Sequence, residues 1–462
     1  MRLPLGGLWQ RVVRARRLAT PRDAATSIAR TIASSSLSSS SSSSPSSAVA
    51  AVFDAFGEPS DVLRVRELPL PTPGAGQVLL ALEAVGCGLG GLVDKTGKSG
   101  KCSSRRGRRS ANARARPRPS IHNNNNKQAP INPSDVNTIQ GRYPLRPEPP
   151  SAVPGHEGVF RVVESGGGGL RVGDRVVPLR PALGTWRSRG VFDARDWHRV
   201  PPGLPLAAAA TLCVNPPTAL ALLEDFVDVF ADARAGGSEG GGGGSASGGG
   251  TVVVQTGATS AVGQLVAQLA RHRGARTVNI VRDRPDWDET RAWLESLGAD
   301  AVTTEARARA DAARLGLPPA ALALDCVGGG ASGAAARLLG PGGTLVCYGA
   351  MSLQPVQVPA SLLIFKDVRV RGFWLSGGRR GRRRQPGGGR RERPDRGDEA
   401  EEEEDDDALL ARKKDLLDRS AALFLSGAWR PPPTVSVPLL EAAKGVAKSR
   451  EGRTRHKVLL VP

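Results

Sequence analysis

Residues 251–272 constrain the fold of this 462-residue chain more than any other stretch. They run TVVVQTGATSAVGQLVAQLARH: an apolar run, a turn with glycines, and then apolar residues at i, i+3, i+4 and i+7. The last spacing is that of one helix face, and its residues are Val262, Leu265, Val266 and Leu269. A buried strand, a tight turn and an amphipathic helix predict one unit of a helix-covered parallel sheet.

The same alternation continues downstream. TVNIV (277–281) predicts a second strand, residues 286–297 predict a helix, and ALALDCVGG and GTLVCYGAM predict two more strands that end at glycines. Strands that alternate with helices are typical of an α/β doubly wound sheet. Upstream, from about Val49, short β-type runs separated by Pro and Gly turns predict a β-rich region, in which QVLLALEAV is a buried strand.

Three low-complexity segments lack any apolar period: 88–130, the Gly-rich 236–250, and 377–407, which is Arg-rich and then acidic. They are predicted to be disordered insertions. For the first, a retained in-frame intron is a second hypothesis, because removing 86–128 joins VLLALEAV directly to APINPSD.

Residues 1–47 are Arg- and Ser-rich, poor in acids and apolar along one helical face. This pattern predicts a mitochondrial transit peptide, with a chloroplast address or plain disorder as alternatives.

The net charge of +20 first suggests a nucleic-acid partner. Most of this charge lies in residues 1–47 and in the Arg-rich segments, which lack interleaved aromatic residues for stacking on bases. We therefore expect no specific nucleic-acid binding. No apolar run reaches the roughly 18 residues of a membrane helix, so no membrane partner is expected. The five cysteines form no CxxC pair, which favours a reducing compartment without structural zinc.

The turn Gly257–Gly263 is placed to hold a nucleotide pyrophosphate at a helix N-terminus. It lacks the full GxGxxG pattern, so an ordinary strand-to-helix turn is the alternative. The second strand ends in RDRPD rather than in a lone acid. Arg282 and Arg284, with Asp283 between them, favour the 2′-phosphate of NADPH, although surface arginines are the alternative.

Several stretches together resemble one family: INPSDVNTIQGRYP, GTW, ATLCVNPPTAL, GATSAVGQ, NIVRDRPD, DCVGG, YGAM and LLIFKDVRVRGFWLS. They look like the mitochondrial trans-2-enoyl-thioester reductases, in the zinc-free, quinone-reductase-like branch of the medium-chain dehydrogenases/reductases. The resemblance spans about 49–462 outside the three insertions. It implies an α/β fold with a GroES-like β-rich catalytic domain (48–215 and 408–462) and a Rossmann doubly wound parallel-sheet domain (216–376).

The resemblance also implies an activity: reduction of a 2-enoyl-ACP or 2-enoyl-CoA by NADPH in mitochondrial fatty acid synthesis, by a homodimer. The family's catalytic tyrosine falls on Tyr143. Its cofactor contacts fall on Asn215; on Thr259, Ser260, Ala261 and Val262; on Arg282, Asp283 and Arg284; on Tyr348, Gly349, Ala350 and Met351; on Phe373, Trp374, Leu375 and Ser376; and on Lys457. This chain departs from the family at Ala350, where glycine is usual, and at the insertions beside Tyr143 and Ser376.

A phenol at position 143 suits this chemistry. When a hydride reaches the β-carbon of an enoyl thioester, negative charge develops on the thioester oxygen, and a donor aimed there stabilises the transition state. Pro144 and Pro147 restrict the loop that carries Tyr143. The alternative is a tyrosine that merely packs at the edge of a loop.

Other candidate residues keep two interpretations. His156 and Cys213 suggest a metal site, but a catalytic zinc takes three protein ligands, so we expect no metal and a structural histidine. Asn215 fits a cofactor contact and also a helix N-cap. Trp186 and Trp374 fit either an acyl pocket or the core. For the whole chain, the alternatives are a quinone or enone reductase on the same scaffold, a nucleic-acid-binding protein, and a chain inactivated by its insertions.

Overall fold

The computed structural model describes residues 47–83, 128–229, 251–377, 396–452 and 455–462. The predicted transit peptide up to residue 46, nearly all of the first insertion and the whole Gly-rich insertion lie outside the described residues.

Sixteen strands are found in the described ranges: β1 (Ser47–Val52), β2 (Arg64–Pro69), β3 (Gln77–Leu82), β4 (Ala129–Pro130), β5 (Phe160–Ser165), β6 (Arg175–Pro178), β7 (Arg189–Asp193), β8 (Trp197–Arg199), β9 (Val252–Thr256), β10 (Arg276–Ile280), β11 (Ala301–Thr303), β12 (Ala320–Asp325), β13 (Leu339–Cys347), β14 (Arg369–Gly372), β15 (Thr434–Pro438) and β16 (Lys457–Val461). The helices are α1 (Pro59–Val62), α2 (Pro133–Ile139), α3 (Leu206–Ala210), α4 (Asn215–Glu224), α5 (Ala261–His272), α6 (Trp287–Ser296), α7 (Ala308–Arg314), α8 (Gly329–Ala336), α9 (Ala360–Lys366), α10 (Arg396–Leu425) and α11 (Ala442–Arg450).

The second half of the chain forms a six-stranded sheet in the order β11-β10-β9-β12-β13-β14, with every pair parallel. This is the order of a doubly wound dinucleotide-binding fold, with its switch point between β9 and β12. The predicted α/β sheet is confirmed. The four apolar residues that predicted α5 are buried against this sheet, because they lie on a single helix face.

The first half is β-rich, as predicted. A five-stranded antiparallel sheet has the order β7-β3-β5-β6-β8, and a small sheet of order β15-β16-β4 joins the C-terminal strands to it. Trp186 is fully buried, and its indole N–H donates to the carbonyl of Pro130 over 3.3 Å. Trp186 is therefore part of the core rather than of an acyl pocket.

The predicted end of the first insertion, residue 130, is too late. Ala129 and Pro130 are buried and pair with Leu460 and Leu459 of β16. A two-residue strand has no periodicity of its own, so only its partner reveals it. On the other flank, the N–H of Glu83 donates to the carbonyl of Val159, whose own N–H donates to the carbonyl of Gln128. Val159 therefore forms hydrogen bonds with residues on both sides of the first insertion.

Predicted disorder over 377–407 is wrong from Arg396 onward, where α10 begins. Glutamate and alanine favour helix, and negative charge near a helix N-terminus is favourable. The acidic run is also continuous with an apolar face, of which Leu416, Leu417 and Phe424 are buried in the core. Tertiary packing thus stabilises a segment whose charge alone suggested disorder.

The C-terminal segment 408–462 divides between the two halves. Its first part packs on the Rossmann side, where the indole N–H of Trp429 donates to the Leu265 carbonyl over 3.0 Å. From Thr434 onward it supplies β15 and β16 to the β-rich half. Across the described ranges, no helix combines the length and apolarity needed to span a bilayer.

Candidate active site

A cavity of about 1550 Å³ lies between the two halves of the molecule. It opens at the carboxyl ends of β9, β10, β12 and β13, where doubly wound sheets bind their ligands. Every predicted site residue except Asp283 lines it, and so do both tyrosines of the chain. Parallel strands explain the convergence of the residues that follow β9, β10, β13 and β14, because the carboxyl ends of these strands lie at one edge of the sheet. Tyr143, Asn215 and Lys457 reach the cavity from other elements.

The turn after β9 is built for a close backbone approach. Gly257 has φ +58°, and a Cβ there would lie 2.7 Å from Sγ of Cys326. The Ser260 hydroxyl accepts the Gly263 N–H over 3.1 Å and so caps α5. The remaining N–H groups of the first turn have no partner within the helix, and helix ends of this kind are favourable for anions.

The arginines after β10 differ in their environments. Arg284 is buried, and its guanidinium binds both carboxylate oxygens of Asp286 over 2.6 and 2.9 Å. This pairing holds the pKa of Asp286 well below its ordinary value. Arg282 is exposed and lines the cavity, whereas Asp283 accepts the Arg284 backbone N–H. Arg455, far along the chain, also contacts Asp286 over 3.2 Å. Of the predicted pair, Arg282 is thus the better placed to bind a phosphate.

The backbone at Ala350 does not have a positive φ. An alanine therefore fits there without strain.

The loop that carries Tyr143 follows α2. Pro133 occupies the first turn of that helix, and the Asp135 carboxylate accepts the Asn132 N–H over 2.7 Å. Beyond the helix, the backbone N–H of Tyr143 donates to the Asn137 carbonyl over 3.2 Å. These contacts fix the start of a loop that the prolines alone would not position.

The Tyr143 hydroxyl accepts a hydrogen bond from Nε1 of Trp374 over 2.8 Å, across 231 residues of sequence. The phenol ring also packs edge-on against the ring of His156, with centroids 5.2 Å apart. Burial raises the pKa of Tyr143, and the Trp374 hydrogen bond opposes that effect. The phenol is therefore protonated at neutral pH. Because its oxygen accepts from Trp374, its own proton is free to point into the cavity.

A buried polar network lies behind the tyrosine. Asn132 donates to Glu157 over 2.6 Å, and the ammonium of Lys457 donates to the same asparagine's oxygen and lies 4.0 Å from Glu157. Asn215 also reaches this oxygen, over 3.4 Å. Burial lowers the pKa of Lys457, and the charge of Glu157 raises it. The network links two predicted site residues, Asn215 and Lys457, through partners that sequence reasoning did not select.

Asn132 carried a sequence signal, since it lies inside the motif INPSD, and Glu157 is the neighbour of the candidate metal ligand His156. The capping interpretation of Asn215 is wrong, because Val214 is the N-cap of α4 and Asn215 is its first residue. Its amide is therefore directed to the network instead of to the helix end.

His156 does not fit a zinc site. Its Nδ1 accepts the Ala182 N–H over 3.0 Å, which leaves the proton on Nε2 to donate to the Thr138 hydroxyl over 3.0 Å. Burial lowers the pKa of His156 to about 4 and raises that of the Cys213 thiol. Both ring nitrogens are thus occupied and the thiol is held protonated. Among the described residues, no group of three or more His, Cys, Asp or Glu side chains is arranged to hold a metal ion.

Two family models match the chain. The alcohol dehydrogenase GroES-like domain matches residues 125–214, and the model described as zinc-binding dehydrogenase matches residues 261–385. The first match covers part of the β-rich half, and the second covers the Rossmann sheet from α5 onward.

The chain is also similar to known proteins and to solved structures. The mitochondrial enoyl-[acyl-carrier-protein] reductases of Arabidopsis thaliana and Homo sapiens are each 46% identical over 253 residues, which are 54% of this chain and 62% and 63% of theirs. The chain thus spans somewhat less than two thirds of the length of these relatives. That of Caenorhabditis elegans is 43% identical over 250 residues, 54% of this chain and 67% of its own.

Among solved structures, the Etr1p/NADP/crotonyl-CoA complex is 26% identical with a TM-score of 0.65, over 90% of this chain and 100% of Etr1p. The mitochondrial 2-enoyl thioester reductase Etr1p/Etr2p heterodimer from Candida tropicalis matches at 26% identity with a TM-score of 0.64, over the same shares of the two chains. With its GroES-like half, its Rossmann sheet and these relatives, the chain belongs to the family of mitochondrial enoyl-[acyl-carrier-protein] reductases.

Proposed function

We propose that the chain reduces trans-2-enoyl thioesters, carried by acyl carrier protein or CoA, with NADPH in the mitochondrial matrix. The observation that carries the proposal is the hydrogen bond between Trp374 and Tyr143, which joins the tyrosine loop to the edge of the Rossmann sheet. The names of the relatives and the NADP and crotonyl-CoA in the Etr1p complex support the same reaction.

The residues of the cavity fit NADPH. The capped N-terminus of α5 offers backbone N–H groups to a pyrophosphate, and the exposed guanidinium of Arg282 suits a 2′-phosphate better than the paired Arg284. When bound, NADPH supplies the hydride that saturates the double bond. The cavity is larger than the roughly 300–1,000 Å³ of a typical small-ligand site, so it has room for an acyl chain beside a dinucleotide.

Tyr143 acts on the substrate. Its hydroxyl donates to the thioester oxygen as negative charge develops there, or delivers the proton that the α-carbon takes up. Trp374 orients the phenol for either role, because its N–H occupies the acceptor side of the oxygen. Arg142 and Arg146 are exposed beside the tyrosine and line the same cavity, which suits steering of an acidic carrier protein.

We further propose that the chain forms a homodimer. β14 is the edge strand of the Rossmann sheet, and the side chains around it are unusually apolar for a surface: Ile364 is 70% and Phe365 81% exposed. An exposed apolar patch beside an open sheet edge favours pairing with a second copy. The Etr1p/Etr2p structure is itself a dimer of two such chains. Sedimentation of the full chain beside Phe365→Asp tests this: a monomeric wild type contradicts it.

The reaction is tested by following NADPH absorbance with the full chain and trans-2-hexenoyl-CoA, beside a quinone and an enone. We expect oxidation of NADPH that depends on the thioester and yields hexanoyl-CoA. Turnover of the quinone or enone without the thioester would instead assign the chain to the other reductases of this scaffold. A folded chain that turns over none of them would refute the proposal.

A further inference from the structure

One wall of the cavity is a single face of α10. Asp406, Leu409, Leu410 and Lys413 line the cavity, and their spacing of three and four residues places them on one side of the helix. This wall therefore carries two leucines between a carboxylate and an ammonium group.

The two charged ends of this wall have different surroundings. At the outer end, Asp406 and Arg180 are both partly exposed and form an ion pair over 3.1 Å. At the inner end, the ammonium of Lys413 donates to the backbone carbonyl of Cys213. One turn further along α10, Leu416 is buried in the core. The wall thus runs from solvent inward and ends at Lys413.

Lys413 is a partly buried cation with few compensating partners. A lysine ammonium has three N–H donors, and the Cys213 carbonyl occupies one of them. Within the described ranges, Lys413 forms no ion pair, and Glu157 acts on it only from a longer range. Burial lowers the pKa of Lys413. Its remaining donors therefore depend on water in the cavity.

The space beyond Lys413 is too small for an alkyl chain. A recess of about 40 Å³ adjoins it, lined by Phe373, Leu375, Leu409, Arg412 and Leu416 among others. Such a volume holds at most a few waters. Among the described residues, this recess therefore offers an acyl chain that follows the leucines little room at the inner end of the wall.

We propose that Lys413 sets the length of the acyl chain that this enzyme accepts and selects short 2-enoyl thioesters over long ones. The inference rests on the proposed enoyl-thioester reduction. Each methylene that packs on Leu409 and Leu410 strengthens binding about fourfold. A chain that reaches Lys413 takes water from an ammonium that has no counter-ion beside it, which is unfavourable. Affinity therefore rises with chain length up to Lys413 and then falls.

The test compares kcat/KM for crotonyl-, trans-2-hexenoyl-, trans-2-decenoyl- and trans-2-hexadecenoyl-CoA. The full-length wild type is measured beside Lys413→Met, which keeps an unbranched side chain one atom shorter and removes its charge. The adjacent exposed Lys414→Met is the matched control. We expect Lys413→Met to raise the ratio of hexadecenoyl to crotonyl activity at least about tenfold, and Lys414→Met to leave it unchanged. Lys413→Arg, which keeps the charge, should retain the short-chain preference.

The outcomes separate the two proposals. If the wild type reduces crotonyl-CoA and Lys413→Met has the same chain-length profile, the role of Lys413 is overturned and the proposed reaction stands. If no enoyl thioester is reduced, the reaction is refuted, and calorimetric affinities of butyryl- and palmitoyl-CoA for the same proteins decide the inference. Equal affinity ratios in the wild type and Lys413→Met would then overturn it. Thermal unfolding shows whether Lys413→Met is folded, and Lys413→Arg provides the comparison if it is not.

Discussion

Tyr143→Phe removes one oxygen atom and little else. That oxygen accepts the Trp374 N–H over 2.8 Å, whereas the ring contacts with His156 and Trp374, at centroid distances of 5.2 and 6.0 Å, are also open to phenylalanine. Trp374 is 38% exposed, so water can replace the lost acceptor. The free energy of unfolding should therefore fall by no more than about 1 kcal/mol, the usual value of one neutral hydrogen bond.

The effect on catalysis should be much larger. A donor aimed at charge that develops in the transition state is typically worth about 100- to 1,000-fold in kcat. The oxygen of Tyr143 already accepts from Trp374, so its proton is the only donor that the variant deletes. We expect kcat with trans-2-hexenoyl-CoA to fall by about 100-fold or more, with the Kd for NADPH unchanged.

The other tyrosine of the chain is the matched comparison. The Tyr348 hydroxyl is buried in the same cavity, in the region of the predicted cofactor contacts. Tyr348→Phe should change the KM for NADPH more than it changes kcat. Steady-state kinetics and fluorescence titration of NADPH measure both quantities. If Tyr143→Phe keeps the wild-type kcat, the phenol takes no part in the reaction and the reasoning fails.

Three other outcomes are expected. Arg282→Ala should lower kcat/KM for NADPH about 10- to 100-fold by removing charge-assisted hydrogen bonds. It should leave kcat/KM for NADH unchanged, and the exposed control Arg291→Ala should change neither value. An equal loss with both nucleotides would exclude a phosphate contact. Lys457→Met should lower the free energy of unfolding in urea by about 3 kcal/mol, because it leaves Glu157 buried without its cation. Adding Glu157→Gln to this variant should restore most of the lost free energy. A double variant no more stable than Lys457→Met would contradict this account. Burial lowers the pKa of His156 from 6.5 to about 4, so the unfolded chain binds the extra proton between these pH values and stability falls as the pH drops through that window. His156→Gln should remove up to about 3 kcal/mol of this dependence, and urea titrations of both proteins that run parallel across the window would refute it.

Local sequence was sufficient where structure depends on near neighbours. The apolar period after Gly257 predicted α5, the alternation of strands and helices predicted the parallel sheet, and the motif around Tyr143 predicted its loop. It was insufficient where the partner is distant. The composition of the acidic run before Leu409 suggested disorder. The segment is nevertheless helical, because α10 packs on a core that comes from other parts of the chain.

The site divides in the same way. The sequence by itself determined that the loops after β9, β10, β12 and β13 reach one cavity, because parallel strands bring their carboxyl ends to one edge of the sheet. Only the tertiary structure decided that Trp374 binds Tyr143, that Asp286 occupies Arg284 while Arg282 is exposed at the cavity, and that Lys413 closes a wall of leucines. The physical reason is that periodicity is set by residues a few positions apart, whereas the partner of a polar side chain is set by packing between segments that lie far apart in the chain.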